Sequence, residues 1–146
     1  MKNREMIGHI NDLDAIIAME NKKENIRDRI FNGRAFLLIA RNYRSLLEEY
    51  KANYEPDLKS LREKYYVTEE QEVAIPADEA AGTEERKEKR KVEVLKPDCT
   101  EEDFNKELQE LLDLKTRKIQ IAKIKADDLA DVRDYGIAMA LDFMVE

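Results

Sequence analysis

The chain has 146 residues, a net charge of −7, and charged and apolar residues in near balance at 40% and 42%. A chain of that size buries a single-domain core without metal or disulfide staples, and one cysteine excludes an intrachain disulfide. The negative balance argues against a general nucleic-acid binder, which needs a net basic surface, and only four Gly and three Pro argue against a turn-rich all-β fold.

In chain order, Met6, Ile10, Leu13 and Ile17 recur at helical spacing and predict a first helix over Asn3–Met19. The polar run Glu20–Asn25 interrupts it, a short segment resumes through Ile26 and Ile30, and Asn32-Gly33 marks a turn or helix end. A long helix is predicted from Arg34 to Tyr65. Phe36, Leu37, Ile39, Ala40, Tyr43, Leu46, Leu47 and Tyr50 form its broad apolar face, continued by Tyr54, Leu58, Leu61 and Tyr65. Pro56 predicts a kink near Tyr54–Glu55, or a fresh helix with the proline in its first turn.

Gln71–Ile75 reads as a short strand closed by Pro76, and Lys91–Lys96 as a second; the two are expected to pair as a hairpin. The intervening 77–91 is polar and low in complexity and is expected to be a mobile loop. Thr100 and Asp103 resemble a capping box opening a third helix, whose apolar face is Phe104, Leu108, Leu111 and Leu112. Arg117–Ile124 alternates most clearly and is expected to be a third strand. Asp127–Val132 reads as one helical turn, and Asp134 as the cap of a last helix, Tyr135–Val145, with Ile137, Leu141, Met144 and Val145 inward. The fold class is therefore α+β, mostly α, in a single domain over 1–146. A long helical hairpin (1–66) carries an α+β part (67–146) with a small antiparallel or mixed three-strand sheet and C-terminal helices.

Little in the sequence points to catalysis. His9 is the only histidine, so a histidine pair is excluded, and Cys99 has no nearby sequence partner to act as its base and reads as a structural thiol. None of the phosphate-loop, dinucleotide, nucleophile-elbow, zinc-helix or CxxC motifs occurs. Asp127, Asp128, Asp131 and Asp134 share helical spacing suited to a divalent cation, but without an accompanying ligand loop they read as a solvated acidic face. No enzyme activity and no cofactor are expected. Counting Lys and Arg against Asp and Glu, residues 1–66 carry +2, 67–100 carry −4 and 101–146 carry −5. Between 20 and 44 there are seven bases, Lys22, Lys23, Arg27, Arg29, Arg34, Arg41 and Arg44, against three acids. Arg27, Arg29, Arg34, Arg41, Tyr43 and Arg44 are therefore the candidate binding residues, since arginine forks pair with phosphate and carboxylate alike. RKEKRK at 86–91 is read as loop solvation. The apolar stripe over 36–65, with Tyr43, Tyr50, Tyr54, Tyr65 and Tyr66, either packs on the first helix or forms a homodimer seam. The opening MKNREMIGHINDLD has no apolar signal core and no apolar run approaches ~18 residues, which predicts a cytoplasmic protein without a membrane partner.

Two stretches carry a family likeness: FNGRAFLLIARNYRSLLEEYKANYEPDLKSLREKYY (31–66), and EEDFNKELQELLDLKTRKIQIAKIKADDL with the terminal LDFMVE. Together they resemble a family of small uncharacterised proteins from phages and prophages of Firmicutes, which share an "IARN-R-L" helix, a "FNKELNELL" helix, an isoleucine-alternating strand and a terminal "LDFM". The chain departs from it by a longer N-terminal section and a longer 76–91 loop. The resemblance covers about half the chain, rests on packing residues, and implies a phage setting, in the cytoplasm of an infected host. The leading expectation is a non-enzymatic inhibitor of a host defence or nucleic-acid-processing protein. The alternatives are an oligomeric sponge that sequesters a small nucleotide through the arginines and a tyrosine, and a phage structural or assembly protein.

Overall fold

A computed structural model describes residues 1–77, 82, 84, 86–117 and 119–146. The chain divides into two compact units, Met1–Asp57 with Glu110–Glu146, and Leu58–Gln109.

In the first unit, α1 (Asn3–Asn21) opens where the N–H of Lys2 donates to Glu5 Oε2 at 2.7 Å, which satisfies a donor at the helix start. A 3-10 turn, Ile26–Asp28, follows, with the Asn25 side chain accepting from the Arg27 N–H. Asn32-Gly33 then starts a helix: Asn32 Oδ1 accepts from the Ala35 N–H at 2.8 Å and opens α2 (Gly33–Glu49). Helices α1 and α2 pack as a hairpin through Met6, Leu13 and Ile16 on one side and Ala35, Ile39 and Leu46 on the other, all buried. Each of the larger of these stabilises the unit by about 2 kcal/mol.

The helix expected from Arg34 to Tyr65 is built in three segments. After α2 comes a π-helical turn, Tyr50–Tyr54, and then α3 (Glu55–Tyr65). Pro56 has no N–H to offer the carbonyl four residues before it. The wider spacing of the π turn, in which the Glu55 N–H reaches Tyr50 O, carries the chain to the proline and sets it in the first turn of α3.

The strand expected over Arg117–Ile124 does not form. Lys118 lies outside the described residues; near this stretch Ile124 makes an isolated parallel bridge with Val145, and Lys115 an antiparallel one with Lys2. Side chains of α2 take the place of a neighbouring strand. Asn42, only 1% exposed, accepts the Ala122 N–H on Oδ1 and donates Nδ2 to Ala122 O, both at 2.8 Å. Glu49 Oε1 accepts the Arg117 N–H at 2.8 Å. The alternation of Ile119 and Ile121 describes extended backbone; it does not specify what pairs with that backbone.

A 3-10 turn, Ala126–Leu129, leads to α5 (Tyr135–Leu141), capped by Asp134 Oδ1 on the Ile137 N–H at 3.1 Å, as the sequence predicts. α5 is shorter than expected and passes into a 3-10 turn, Asp142–Met144. Leu141 and Met144 are buried. The tail is fixed by Ile124 N–H to Met144 O and Glu146 N–H to Ile124 O, at 2.8 and 2.9 Å.

In the second unit, β1 (Tyr66–Ile75) and β2 (Arg86–Leu95) form a two-stranded antiparallel sheet, with Tyr66 opposite Leu95 and Ile75 opposite Arg86. The hairpin is expected, but both strands are longer, and RKEKRK is strand where loop is expected. The register explains it: Glu70 lies opposite Lys91 and Glu72 opposite Lys89, so an acidic run meets a basic one. Within the expected loop, residues 78–81, 83 and 85 lie outside the described residues. Thr100 Oγ1 accepts the Asp103 N–H at 3.2 Å at the start of α4 (Glu101–Asp113), the predicted cap. Phe104 takes the rings of Tyr65 and Tyr66 edge-on, with centroids 5.8 and 5.1 Å away. Lys64 Nζ donates to Glu107 Oε1 at 2.7 Å and holds that carboxyl below its usual range.

Because Asn42 satisfies both backbone groups of Ala122, Asn42→Ala leaves a buried gap and two unpaired polar groups. A loss of about 2–4 kcal/mol is expected, read from the midpoint of urea unfolding at unchanged slope.

Candidate binding surface

Successive residues of a helix turn by about 100°. Arg34, Leu37, Arg41, Arg44 and Glu48 therefore fall in one narrow stripe of α2, turned away from the buried Ala35, Ile39, Asn42 and Leu46, and all five are exposed. Leu37, expected on the buried face, is 68% exposed among three arginines. The run FLLIA simply holds more apolar residues than one helix face turns inward.

Tyr43 does not join this stripe. It lies round the helix from the arginines, half-buried, and its hydroxyl donates to Asp14 Oδ1 of α1 at 3.2 Å. Burial and then the Asp14 carboxylate push its phenol above the ordinary value. Arg27 and Arg29 stand exposed on the segment before α2. Arg29 edges a hollow of about 300 Å³ whose wall includes Ile26, Phe31, Gly33 and Phe36. At the base of that segment the buried Glu20 accepts from Lys23 Nζ at 2.8 Å and from the Ile30 and Phe31 N–H groups at 3.3 and 3.4 Å. Burial raises its pKa, but those three hydrogen bonds outweigh burial and the carboxyl sits below its usual range. Arg41 edges a second hollow of about 240 Å³, with Ser45, Gln120, Ile121 and Ala122.

The four candidate aspartates lie on the stretch that leads from the Ala126–Leu129 turn into α5. Asp127 and Asp131 are exposed, Asp134 caps α5, and Asp128 is half-buried with its carbonyl accepting Asn32 Nδ2 at 3.2 Å. Among the described residues no three His, Cys, Asp or Glu side chains converge as a metal site. Beyond the aspartates, α5 and the turn after it present Tyr135, Met139 and Asp142 on one exposed face; Met139 and Asp142, with Ala138, line a hollow of about 290 Å³. Turning Ile137, Leu141 and Met144 inward already sets Tyr135 and Met139 on the opposite face.

His9 stacks on Phe143 with ring centroids 3.8 Å apart and planes 17° from parallel. Cys99 is half-buried, its Sγ 3.9 Å from Lys64 O in the second unit. Among the described residues no helix is long and apolar enough to cross a membrane. Chemically, the α2 stripe offers guanidinium donor forks around an exposed leucine, and such forks pair with carboxylate and phosphate alike. Compared with known proteins, the chain matches no family model, no curated protein and no solved structure.

Burial lowers the pKa of His9 more than Asp12 and Glu5 raise it. The unfolded chain, with a histidine pKa of about 6.5, then binds the proton more readily than the folded one. Stability is expected to be full above that pH, to fall as pH drops toward the folded pKa, and to level off below it. His9→Phe keeps the stack and removes this component; urea midpoints of both proteins across the range check it.

Proposed function

We propose that this chain is a non-enzymatic binding protein of phage origin that docks on a host protein and blocks it, through Arg34, Leu37, Arg41 and Arg44. One observation carries the reading: a leucine 68% exposed between arginines on a well-packed helix. Buried polar and apolar groups on the far side of α2 lock the helix, so binding orders only the exposed side chains and not the backbone that carries them. The partner surface that suits it is acidic with a recess for Leu37, on a host defence or nucleic-acid-processing protein. The phage origin rests on the likeness of residues 31–66 and the C-terminal stretches.

Affinity capture from host lysate tests this, with the unaltered chain and with Arg41→Glu/Arg44→Glu. A host protein at stoichiometric level is expected with the first and at least about tenfold less with the second, as for loss of paired charges at an interface. Purified, that protein loses its activity when the chain is added. Equal recovery by both proteins sinks the reading.

A second reading, nucleotide sequestration, draws on the Arg41 hollow, where Ser45 and Gln120 supply further hydrogen-bonding groups. Tyr43, whose hydroxyl bonds to Asp14, does not stand beside Arg41 as a stacking ring, which lends this reading less support. Calorimetry against a panel of cyclic nucleotides separates the two: heat that disappears in Arg41→Ala favours sequestration, and a flat panel removes it.

A further inference from the structure

We infer that two copies of this chain pair reciprocally, with Tyr135 and Met139 of each entering the Ile26–Phe36 hollow of the other. Among the described residues, the two most exposed large apolar side chains are Tyr135 at 80% and Ile26 at 79%. They stand in regions of opposite charge. Between 126 and 142 five aspartates, Asp127, Asp128, Asp131, Asp134 and Asp142, face a single base, Arg133. Around Ile26, Lys22, Arg27, Arg29 and Arg34 are exposed against Glu24 and Asp28. The apolar features of the two regions also match, a projecting aromatic on the α5 side and a hollow on the basic side. The α5 face is a projecting aromatic with a methionine one turn on, types favoured as interface anchors. The basic region holds a hollow of about 300 Å³ walled by Ile26, Phe31 and Phe36, with Arg29 at its edge.

Both regions belong to the first unit and to neighbouring elements of it. Asn32, which lines the hollow and caps α2, donates Nδ2 to Asp128 O in the turn leading to α5. Tyr135 is too exposed to occupy its own copy's hollow. A two-fold axis lets one knob-and-hollow contact be made twice, so the buried area doubles for a single complementary pair of patches. That economy favours a second copy over an unrelated partner. In the pair, Arg27 and Arg29 of one copy oppose Asp131 and Asp142 of the other. Arg34 is common to this basic region and to the host-binding stripe, whose Arg41 and Arg44 take no part in the pairing.

Sedimentation across about a hundredfold range of concentration tests the pairing; on binding arithmetic that range spans about 2.7 kcal/mol. The unaltered chain is expected to form a dimer that salt weakens, and Tyr135→Ala to weaken it at least about tenfold. Arg27→Glu/Arg29→Glu alone, and Asp131→Arg/Asp142→Arg alone, are expected to be monomers with unchanged circular dichroism. Mixed, they recover a one-to-one dimer, because reversal on both sides restores opposite charges at both contacts. An unaltered chain that stays monomeric throughout overturns the inference. So does either reversed variant remaining dimeric, or a mixture of folded variants that fails to associate. A monomer whose Tyr135→Ala variant loses a captured host protein assigns the face to that protein and equally overturns it. Arg41→Glu/Arg44→Glu keeps its dimer whether or not it loses the host protein, so the two readings fail separately.

Discussion

The amide of Asn42 holding both backbone groups of Ala122 is the interaction on which the first unit depends. A buried backbone group without a partner costs as much as a lost hydrogen bond, and the irregular chain after α4 has no sheet to supply partners. Helix side chains supply them. Among the described residues four polar side chains are buried, Asn3, Glu20, Asn42 and Glu49. Each is bonded to backbone outside its own helix: Asn3 to Leu111 O, Glu20 to Ile30 and Phe31, Asn42 to Ala122, and Glu49 to Arg117. These residues make the covering segments specific in register, which apolar contacts alone do not.

This division of labour fixes what faces out. With Ala35, Ile39, Asn42, Leu46 and Glu49 committed inward, α2 has no freedom to roll, and Arg34, Leu37, Arg41 and Arg44 are held toward solvent. Exposed arginines contribute little to the stability of their own fold. Their energetic effect appears when a partner desolvates them, where complementary charge sets encounter rate and orientation. Basic and acidic regions on neighbouring elements of one unit extend the same logic to contacts between copies.

Much of this is legible in the residues, and the failures have physical reasons. The helices follow from spacing, and the caps at Thr100 and Asp134 from side chains that compete for free N–H groups. Pro56 announces an interruption because a missing donor is a local fact. The third strand fails because its partner is an asparagine some 80 residues earlier; the readable sign is a polar residue on an otherwise apolar stripe, with Ile39 and Leu46 beside Asn42. The hairpin is read too short because its outer half is held by charges that oppose each other only once the strands are paired. Leu37 turns outward and Tyr43 stays on the α1 side, apart from the arginines, because an apolar-rich helix allows more than one choice of inward face. The packing against α1 and the Asp14 hydroxyl bond decide between them.

The π turn has a consequence for how the helix counts. Its buried residues step by four and three from Ala35 through Ile39, Asn42 and Leu46 to Glu49, and then by five to Tyr54. A regular helix would bring Asn53 inward; one additional residue substitutes an aromatic ring for it. Loss of a residue within 50–53 returns the step to four with Tyr54 still inward, whereas the same loss between Ala35 and Arg44 turns the residues after it by about 100° relative to those before it and splits the arginine stripe. Loss of one residue therefore keeps the inward face at this turn, while α2 before it is intolerant of such a loss.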